Sequence, residues 1–591
     1  MSAMLPTRFP MRRSAWGLAG AVAALHLVFA RASVTVPYVF GDEAGYLTKA
    51  AALAGLATDA YSSYYPGYAL WLAPLYALEP HTLAIYPWVQ WINAVLAGAG
   101  AWLLLALADA FAPDRPAHVR WLAAAALGCY APALAYSAFA LSENLFIPWV
   151  LLLAWLLLRA VEQPTRRRAL ALALAAAGLM LIHPKGVPAV VALGLGWLAG
   201  VRSRGRVEWL RVSAWVGGAV LLFLATHRVA EVFFRHRMGY YSDGVSGHYP
   251  GAREVLAQLT AALSPGPLQA MALQAAGQLL YLGVASCGLV LVGLVRAESA
   301  ASSGARACDV FGRTALVLTV VMTAFFMRDG GRVDALFYGR YDEGVVALVM
   351  LPVLLRPPPG RAWWLCAGLV AALGGLLVMA YGSRLEGEVV QLNVFGAQLW
   401  RFLGGVGARH LQIAVLAGAG AASVALLGLL RRWRGLPALV GVLFLVGAWQ
   451  GSIAYLSPES RTNAGRHRIA DRIHRDFAQV PCVDYDARAW EYWQRFNDQV
   501  LLLPARMHEA AVSPLAPGQP DDGRTHARCS DLVISATPDL QRWYPGARLL
   551  QRESGSQERL WWIPRQARGR HDAVAPGRPG DHGRGRGASG E

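Results

Sequence analysis

The chain has 591 residues, of which 55% are apolar and only 15% are Asp, Glu, Lys or Arg. Soluble globular proteins carry about 25% charged residues, so this composition excludes an ordinary soluble enzyme and indicates a protein whose solvent is a lipid bilayer. The formal net charge of +17 is also found in proteins that bind nucleic acid. That class is excluded because the arginines lie in short segments between apolar runs.

Apolar segments recur along most of the chain. A transmembrane helix needs about 20 consecutive, mostly apolar residues, and the sequence predicts an all-α polytopic membrane protein of about thirteen such helices. The first follows Arg12 and Arg13 as a signal peptide would, but its long apolar run lacks a clear cleavage site and favours a retained helix. The predicted spans are 14–33, 86–110, 119–139, 143–160, 168–183, 186–202, 211–230, 269–296, 313–328, 343–356, 362–382, 409–431 and 436–455.

Arginine distribution predicts the orientation of these helices. Arginines are enriched in the cytoplasmic loops of membrane proteins, and every even-numbered connection carries them, as at 166–168 and 431–434. The N-terminus is therefore predicted to be cytoplasmic, the odd helix count puts the C-terminal region outside, and the protein is placed in the plasma membrane. The predicted outer loops with long, acidic or aromatic stretches are 34–85, 231–268, 329–342 and 383–408.

The region 456–566 differs in character from the transmembrane module 1–455. It is predicted to be a small extracytoplasmic α/β domain, in which Cys482 and Cys529 either form a disulfide or remain free thiols. The tail 567–591 is rich in Gly, Arg and Pro and is predicted to be disordered. Within the domain, helices are predicted at 462–478 and 488–498, and strands at 481–485, 531–535 and 558–563.

A pair of adjacent carboxylates, Asp42 and Glu43, follows the first predicted helix. If the segment is helical, Asp42, Tyr46 and Lys49 share one face and Glu43 points elsewhere. A carboxylate in this setting can take a proton from a hydroxyl group. The alternative is that both acids only complement the dipole of a helix N-terminus.

An aromatic run, residues 61–71, continues the same loop and contains Tyr65, Tyr68 and Trp71 around a Pro-Gly step. Such rings can stack on sugars. Aromatic residues at the membrane interface are also common as simple membrane anchors, and both interpretations remain open.

Three further motifs lie at predicted outer ends of helices. Glu143 follows Ser142 and is either functional or a first-turn acid beside a cap. Lys185, in the turn His183-Pro184-Lys185-Gly186, is either a phosphate ligand or an ordinary turn lysine. Arg340 precedes Tyr341 and suits bidentate phosphate binding; the alternative is an internal network with nearby aspartates.

Together these motifs resemble the GT-C integral-membrane glycosyltransferases. The run Gly41-Asp42-Glu43 with Tyr46, followed by Tyr65-Pro66-Gly67-Tyr68, is similar to the first outer loop of the branch that contains protein O-mannosyltransferases and lipid A aminoarabinose transferases. The segment 142–146 and the pair Arg340-Tyr341 are similar to further parts of that branch. The resemblance covers mainly residues 1–200 and 338–356.

The resemblance implies a GT-C-like fold and an inverting transfer of a sugar from a polyprenyl-phosphate-linked donor to an extracytoplasmic acceptor. Asp42 would act as the base, with Glu43 as a second catalytic residue. The remaining expected site residues divide between those that bind the donor phosphate, Arg340, Lys185 and Lys49, and those that bind substrate, Tyr46, Tyr65, Tyr68, Glu143, His183 and Tyr341.

The sequence departs from the family pattern at three places. Tyr65 stands where the family often has Pro, His183-Pro184-Lys185-Gly186 replaces what is commonly Arg-Pro-Glu-Gly, and Asp342 and Glu343 stand where the family usually has apolar residues. These departures affect which branch of the family the chain resembles and which substrate is implied, more than the resemblance to the superfamily.

Two alternative functions belong to other classes. A transporter or lipid flippase would need ionisable residues near the bilayer midplane and broken helices in symmetric halves, and the sequence shows no internal repeat. A non-catalytic envelope assembly factor would use 456–566 for docking. No cofactor is expected to be required; a divalent metal beside Asp42 and Glu43 is left open, although no multi-ligand metal cluster is evident. The expected partners are the lipid-linked donor, the acceptor and the bilayer, without nucleic acid.

Overall fold

The computed structural model describes most of the chain in separate stretches. The predicted span 211–230, the loop 231–268 and the predicted helix 488–498 lie mostly outside the described residues, and the tail 567–591 lies outside them entirely. The described stretches are 13–37, 41–56, 65–201, 261–296, 302–328, 332–464, 467–486, 498–513, 528–553 and 557–565, with scattered positions in 214–260 and residue 330.

The chain divides into two compact units, Met1–Ala464 and Gly465–Glu591. The first unit is almost entirely helical. Its principal α-helices in chain order are Arg13–Ser33, Gly41–Leu53, Pro66–Leu78, Thr82–Phe111, Ala117–Gly128, Ala131–Tyr136, Glu143–Glu162, Arg166–Ile182, Val187–Val201, Pro265–Ala285, Leu289–Val295, Ser303–Met327, Glu343–Leu355, Gly360–Tyr381, Ile413–Leu430, Leu436–Gly451 and Ser457–Ala464.

Short 3-10 helices connect several of these elements, and those that matter for the site are Pro184–Gly186, Val333–Phe337, Gly339–Tyr341 and Gln391–Leu403. A small antiparallel hairpin pairs β1, Arg384–Glu386, with β2, His410–Gln412. This hairpin flanks the helix Gln391–Leu403, so the predicted outer loop 383–408 has regular structure of its own.

Within the described part of the chain, eight helices are long and apolar enough to cross a membrane, or nine if a bent pair counts as one span. The prediction of a multi-pass membrane protein is confirmed, whereas the count of about thirteen spans is not. The predicted spans 168–183 and 343–356 correspond to helices of 17 and 13 residues. These are shorter than a straight helix needs to cross about 30 Å of hydrocarbon.

Two predicted spans are interrupted. Span 269–296 consists of the helices Pro265–Ala285 and Leu289–Val295, which meet at 115°. Cys287 and Gly288 have φ angles of 50° and 83°, and this left-handed backbone ends the first helix. Span 119–139 breaks between Gly128 and Ala131. The prediction of one continuous helix in each place is wrong.

The loop 34–85 contains two helices, Gly41–Leu53 and Pro66–Leu78. The second begins with Pro at its first turn, where the missing N–H of proline costs nothing. The first confirms the conditional prediction of a helix that carries Asp42, Tyr46 and Lys49 on one face.

The second unit contains five strands: β3 Cys482–Asp486, β4 Arg506–Ala510, β5 Leu532–Ser535, β6 Arg548–Arg552 and β7 Arg559–Trp562. They form a mixed sheet of order β4-β3-β5-β7-β6, and the helix Arg468–Asp476 belongs to the same unit. The three predicted strands are confirmed as β3, β5 and β7, but β4 and β6 were not predicted because their residues are largely polar. Cys482 and Cys529 form a disulfide, which decides between the two alternatives left open by the sequence.

Candidate active site

Arg340 joins two carboxylates that are far apart in the sequence. Its Nε donates to Oε1 of Glu143 at 2.8 Å, and its Nη2 donates to Oε2 of the same residue at 3.2 Å. Its Nη1 donates to Oδ2 of Asp42. The fork of the guanidinium suits such bidentate pairing, and the bonds place the first turn of helix Gly41–Leu53 beside the first residue of helix Glu143–Glu162.

Lys185 completes a charged group that we call the Arg340 cluster: Asp42, Glu143, Lys185 and Arg340. Lys185 Nζ donates to Oε1 of Glu143 at 2.7 Å, and its ammonium group lies 4.8 Å from the ring centroid of Phe146. Two cations and two carboxylates balance each other in the cluster. Such a balance is needed because an unpaired buried charge costs several kcal/mol.

Asp42 is the accessible member of the cluster. Its side chain is 29% exposed, against 6% for Arg340, 2% for Glu143 and 1% for Lys185. Asp42 therefore has the most exposed side chain of the four, and the other three are buried. Glu143 and Lys185 are more than a helix cap and a turn lysine, since both are buried and paired.

The aspartates close to Arg340 in sequence do not serve as its partners within the described residues. Asp334 pairs with Arg332 and accepts a hydrogen bond of 2.8 Å from Asn393. The Arg340 side chain instead reaches Asp42 and Glu143. The internal-network alternative therefore holds for Asp334, whereas Arg340 belongs to the cluster.

Glu43 points away from the cluster, as its place on the helix predicts. Its Oε1 accepts hydrogen bonds from the hydroxyl of Tyr86 at 2.8 Å and from the backbone N–H of Ala140 at 2.9 Å. Both contacts anchor helix Gly41–Leu53 to neighbouring elements and so fix the position of Asp42. A catalytic role for Glu43 stays a prediction.

The predicted substrate-binding tyrosines of the first outer loop are buried. The rings of Tyr46 and Tyr68 pack edge to face with centroids 5.5 Å apart. The Tyr68 hydroxyl donates to Oδ1 of Asn93 at 2.7 Å, and Tyr65 is also buried. These contacts make Tyr46 and Tyr68 part of the packing around the site, and substrate binding by the three tyrosines stays a prediction.

Lys49, His183 and Tyr341 are the remaining predicted site residues. Lys49 is buried, and burial lowers its pKa from the usual 10.5 to about 7. His183 Nδ1 accepts a hydrogen bond from the backbone N–H of Lys185 at 3.1 Å. The ring centroids of His183 and Tyr341 are 5.8 Å apart. His183 and Tyr341 thus border the Arg340 cluster. Their predicted roles, like phosphate binding by Lys49, stay predictions.

Gly67 explains the close approach of the Pro66-Gly67-Tyr68 motif to the His183 turn. A Cβ at residue 67 would lie 2.6 Å from the backbone nitrogen and 2.7 Å from Cα of Ile182. Gly67→Ala is therefore expected to lower the free energy of unfolding by about 1–3 kcal/mol, the usual cost of overpacking. Thermal unfolding of the purified protein measures this loss.

Gly17→Ala is the matched control for Gly67→Ala. Gly17 also lies in a helix, but no atom lies within 4 Å of the position that a Cβ would take there. The Gly17→Ala substitution should therefore leave the free energy of unfolding unchanged or raise it slightly, because alanine is the better helix former. Equal stability of the two variants would contradict the packing argument.

Two functional-site neighbours, Tyr136 and Tyr281, were missed by the sequence analysis. Both donate their hydroxyls to the carboxylate of Glu343. They lie inside predicted apolar spans, where a tyrosine gives no signal that separates it from an interface anchor.

Only one group of metal-ligating side chains is found among the residues that the structure describes. It consists of Cys482, Asp484 and Cys529. The two cysteines are bonded to each other, so neither offers the thiolate that a metal ion binds. A metal beside Asp42 and Glu43 stays an open alternative.

No protein-family model matches the sequence, and no curated protein sequence matches it. Among solved structures, the chain is similar to ArnT from Cupriavidus metallidurans bound to undecaprenyl phosphate, with 14% identity, a TM-score of 0.47, and coverage of 93% of this chain and 99% of the other. It is also similar to arabinosyltransferase EmbB from Mycobacterium smegmatis, with 15% identity, a TM-score of 0.40, and coverage of 79% and 42%.

A third similar structure is the Archaeoglobus fulgidus oligosaccharyltransferase in the apo form, with 11% identity, a TM-score of 0.39, and coverage of 83% of this chain and 64% of the other.

Proposed function

We propose that the protein is an inverting glycosyltransferase that moves a sugar from a polyprenyl-phosphate-linked donor to an acceptor on the extracytoplasmic side of the plasma membrane. The single observation that carries the proposal is the Arg340 cluster, in which Arg340 pairs with the partly exposed carboxylate of Asp42 and with Glu143, and Glu143 also pairs with Lys185. The motifs that supply Asp42, Glu143 and Arg340 are among those that resemble GT-C enzymes, whereas the turn that carries Lys185 departs from the family pattern.

The expected reaction needs a base and a site for negative charge. The acceptor hydroxyl attacks the anomeric carbon, its proton passes to the Asp42 carboxylate, and the bond between the sugar and the phosphate oxygen breaks. General-base catalysis of this kind contributes about 10²–10⁴-fold. The bond between Arg340 and Asp42 supports this role, because it fixes the direction of the carboxylate.

The leaving group is a lipid phosphate, whose growing charge needs cations in a water-poor setting. Arg340 and Lys185 are the cations of the cluster, and both also hold Glu143. In this proposal Glu143 orients the two cations, which come to face the phosphate when the donor binds. The donor's lipid tail would lie among the helices of the membrane unit.

The disulfide of the second unit supports the proposed orientation. Disulfides form and persist in oxidising compartments such as the bacterial periplasm or the cell exterior, and Cys482 and Cys529 are bonded. The arginine-rich connections between the predicted helices also predict that the C-terminal region lies outside the membrane. We therefore place the second unit outside the membrane, where it would meet the acceptor.

A deletion strain provides the direct test of the proposed function. We expect its envelope glycans or glycolipids to lack one sugar, as read by mass analysis, and we expect the purified wild-type protein to transfer that sugar from a polyprenyl-phosphate donor. Loss of the sugar without any activity of the purified protein would favour an assembly factor. Transbilayer movement of labelled lipid in proteoliposomes, with no transfer, would favour a flippase.

A further inference from the structure

Glu343 begins the helix Glu343–Leu355, three residues after Arg340, and it is buried. Its carboxylate accepts hydrogen bonds from two tyrosine hydroxyls, Tyr136 at Oε2 and Tyr281 at Oε1. A buried carboxylate without such donors would be strongly unfavourable. The two tyrosines come from the helices Ala131–Tyr136 and Pro265–Ala285, so Glu343 connects three separate elements.

Glycines on both sides of Arg340 and Glu343 allow close packing in the same place. Gly339 lies against the ring of Tyr281, and Gly344 lies against the ring of Phe146, with no room for a Cβ at either position. Phe146 is also the ring that contacts Lys185. The segment 339–344 is therefore held at both ends by aromatic rings.

Tyr136 also contacts the segment that carries Glu143, one of the two carboxylates that pair with Arg340. The backbone carbonyl of Tyr136 accepts a hydrogen bond of 2.9 Å from Asn144 Nδ2, and Asn144 directly follows Glu143. The hydroxyl of Tyr136 thus holds the segment that carries Arg340, while its carbonyl holds the helix start that carries Glu143. Asn144 Nδ2 also donates to the backbone carbonyls of Phe139 and Leu141, at 3.0 and 3.1 Å, so Tyr136 is one of the residues that hold both partners of the ion pair.

We infer that Tyr136, Tyr281 and Glu343, here named the Glu343 lock, are positioning residues that aim Arg340 at Asp42 and Glu143. The inference rests on the proposed function and extends it to residues that touch no substrate. Asp342 and Glu343 are also where the sequence departs from the apolar residues usual in the family.

Two substitutions test the lock without removing any ring. Tyr136→Phe and Tyr281→Phe keep the aromatic packing and delete one hydroxyl each. Since a misplacement of about 1 Å can cost roughly 100-fold in rate, we expect turnover of the glycosylated polyprenyl phosphate to fall about 10- to 100-fold, with KM for the donor changed less than about threefold. Hydrogen exchange of the backbone amides at 339–342 should become faster in both variants.

Tyr76→Phe is the matched control. Tyr76 is equally buried, and its hydroxyl bonds to Oγ1 of Thr82 at 2.9 Å, apart from the Glu343 lock. This variant should keep the wild-type turnover and the wild-type exchange at 339–342. A fall as large as that of Tyr136→Phe would mean that any lost tyrosine hydroxyl harms the protein, and it would overturn the inference.

A double variant separates positioning from a general structural role. If the lock acts through Arg340, then Tyr136→Phe should lower turnover little further once Arg340→Lys is present, because residues acting as one unit are not additive. Full additivity would overturn the inference, as would unchanged exchange at 339–342. If the wild type transfers no sugar from any polyprenyl-phosphate donor, the proposed function fails, and the exchange comparison still decides whether the lock orders this segment.

Discussion

Asp42→Asn is expected to lower turnover by about 10²–10⁴-fold, the usual contribution of a general base, while the protein stays folded and inserted. Asparagine keeps the size of aspartate but cannot take a proton from the acceptor. Arg340 keeps its bidentate contact with Glu143, so the cluster retains its main ion pair. The measurement is transfer from a polyprenyl-phosphate sugar by the purified variant.

Asp114→Asn is the matched control for the Asp42 variant. Asp114 also pairs with an arginine, Arg356, but its side chain is 62% exposed and lies outside the Arg340 cluster. Turnover by this variant should equal that of the wild type, because an exposed ion pair contributes at most about 1 kcal/mol to stability. Wild-type turnover by purified Asp42→Asn would remove the base from the proposed mechanism and end the assignment.

Glu143→Gln is expected to lower the free energy of unfolding by roughly 3–5 kcal/mol, which is typical when one partner of a buried ion pair is removed. The neutral amide leaves Lys185 buried without the carboxylate to which it donates at 2.7 Å. Arg340 would retain Asp42 alone. Thermal unfolding in detergent measures the stability, and turnover of the donor should fall in the same variant.

Lys185→Met distinguishes the contribution of Lys185 to stability from that of Arg340. It removes one charge, and Glu143 keeps its bidentate contact with Arg340, so the loss of stability should be smaller than for Glu143→Gln. Glu79→Gln is a control at an exposed carboxylate, whose side chain is 45% exposed beside His81, and it should have little effect. If all three variants unfold at the wild-type temperature, the cluster does not hold these helix ends together.

Local sequence patterns predicted the parts of the site that depend on neighbours in the chain. The helical face of Asp42, Tyr46 and Lys49 follows from a spacing of three and four residues, and the structure has that helix. The direction of Glu43 away from this face follows from the same periodicity. The motifs also singled out Glu143, Lys185 and Arg340, which the structure brings into contact.

The pairings inside the site could not be predicted in the same way. Asp42 and Arg340 are 298 residues apart in the chain, and Arg340 had aspartates much closer in sequence as plausible partners. The Glu343 lock was missed because its two tyrosines lie in apolar segments that indicate only a membrane helix. Such contacts depend on how the helices pack, which a hydropathy pattern does not encode.

The count of about thirteen spans is not confirmed among the described residues, and the reason lies in what a hydropathy window measures. A window of apolar residues measures composition, and it does not detect a bend such as that at Cys287 and Gly288. It also counts short apolar helices, such as Glu343–Leu355, as full spans. In the second unit, β4 and β6 carry mainly polar residues and therefore lacked the apolar pattern used to predict the other strands.

The long separation between Asp42 and Arg340 has a consequence for biosynthesis. Glu143 and Lys185 are only 42 residues apart, so the nascent chain contains both members of this ion pair soon after the helices that carry them are inserted. Arg340 is synthesised much later. Until then, neither Asp42 nor Glu143 can pair with its guanidinium group. A ribosome-bound chain that ends before residue 340 should consequently lack transfer activity, however well its early helices have inserted.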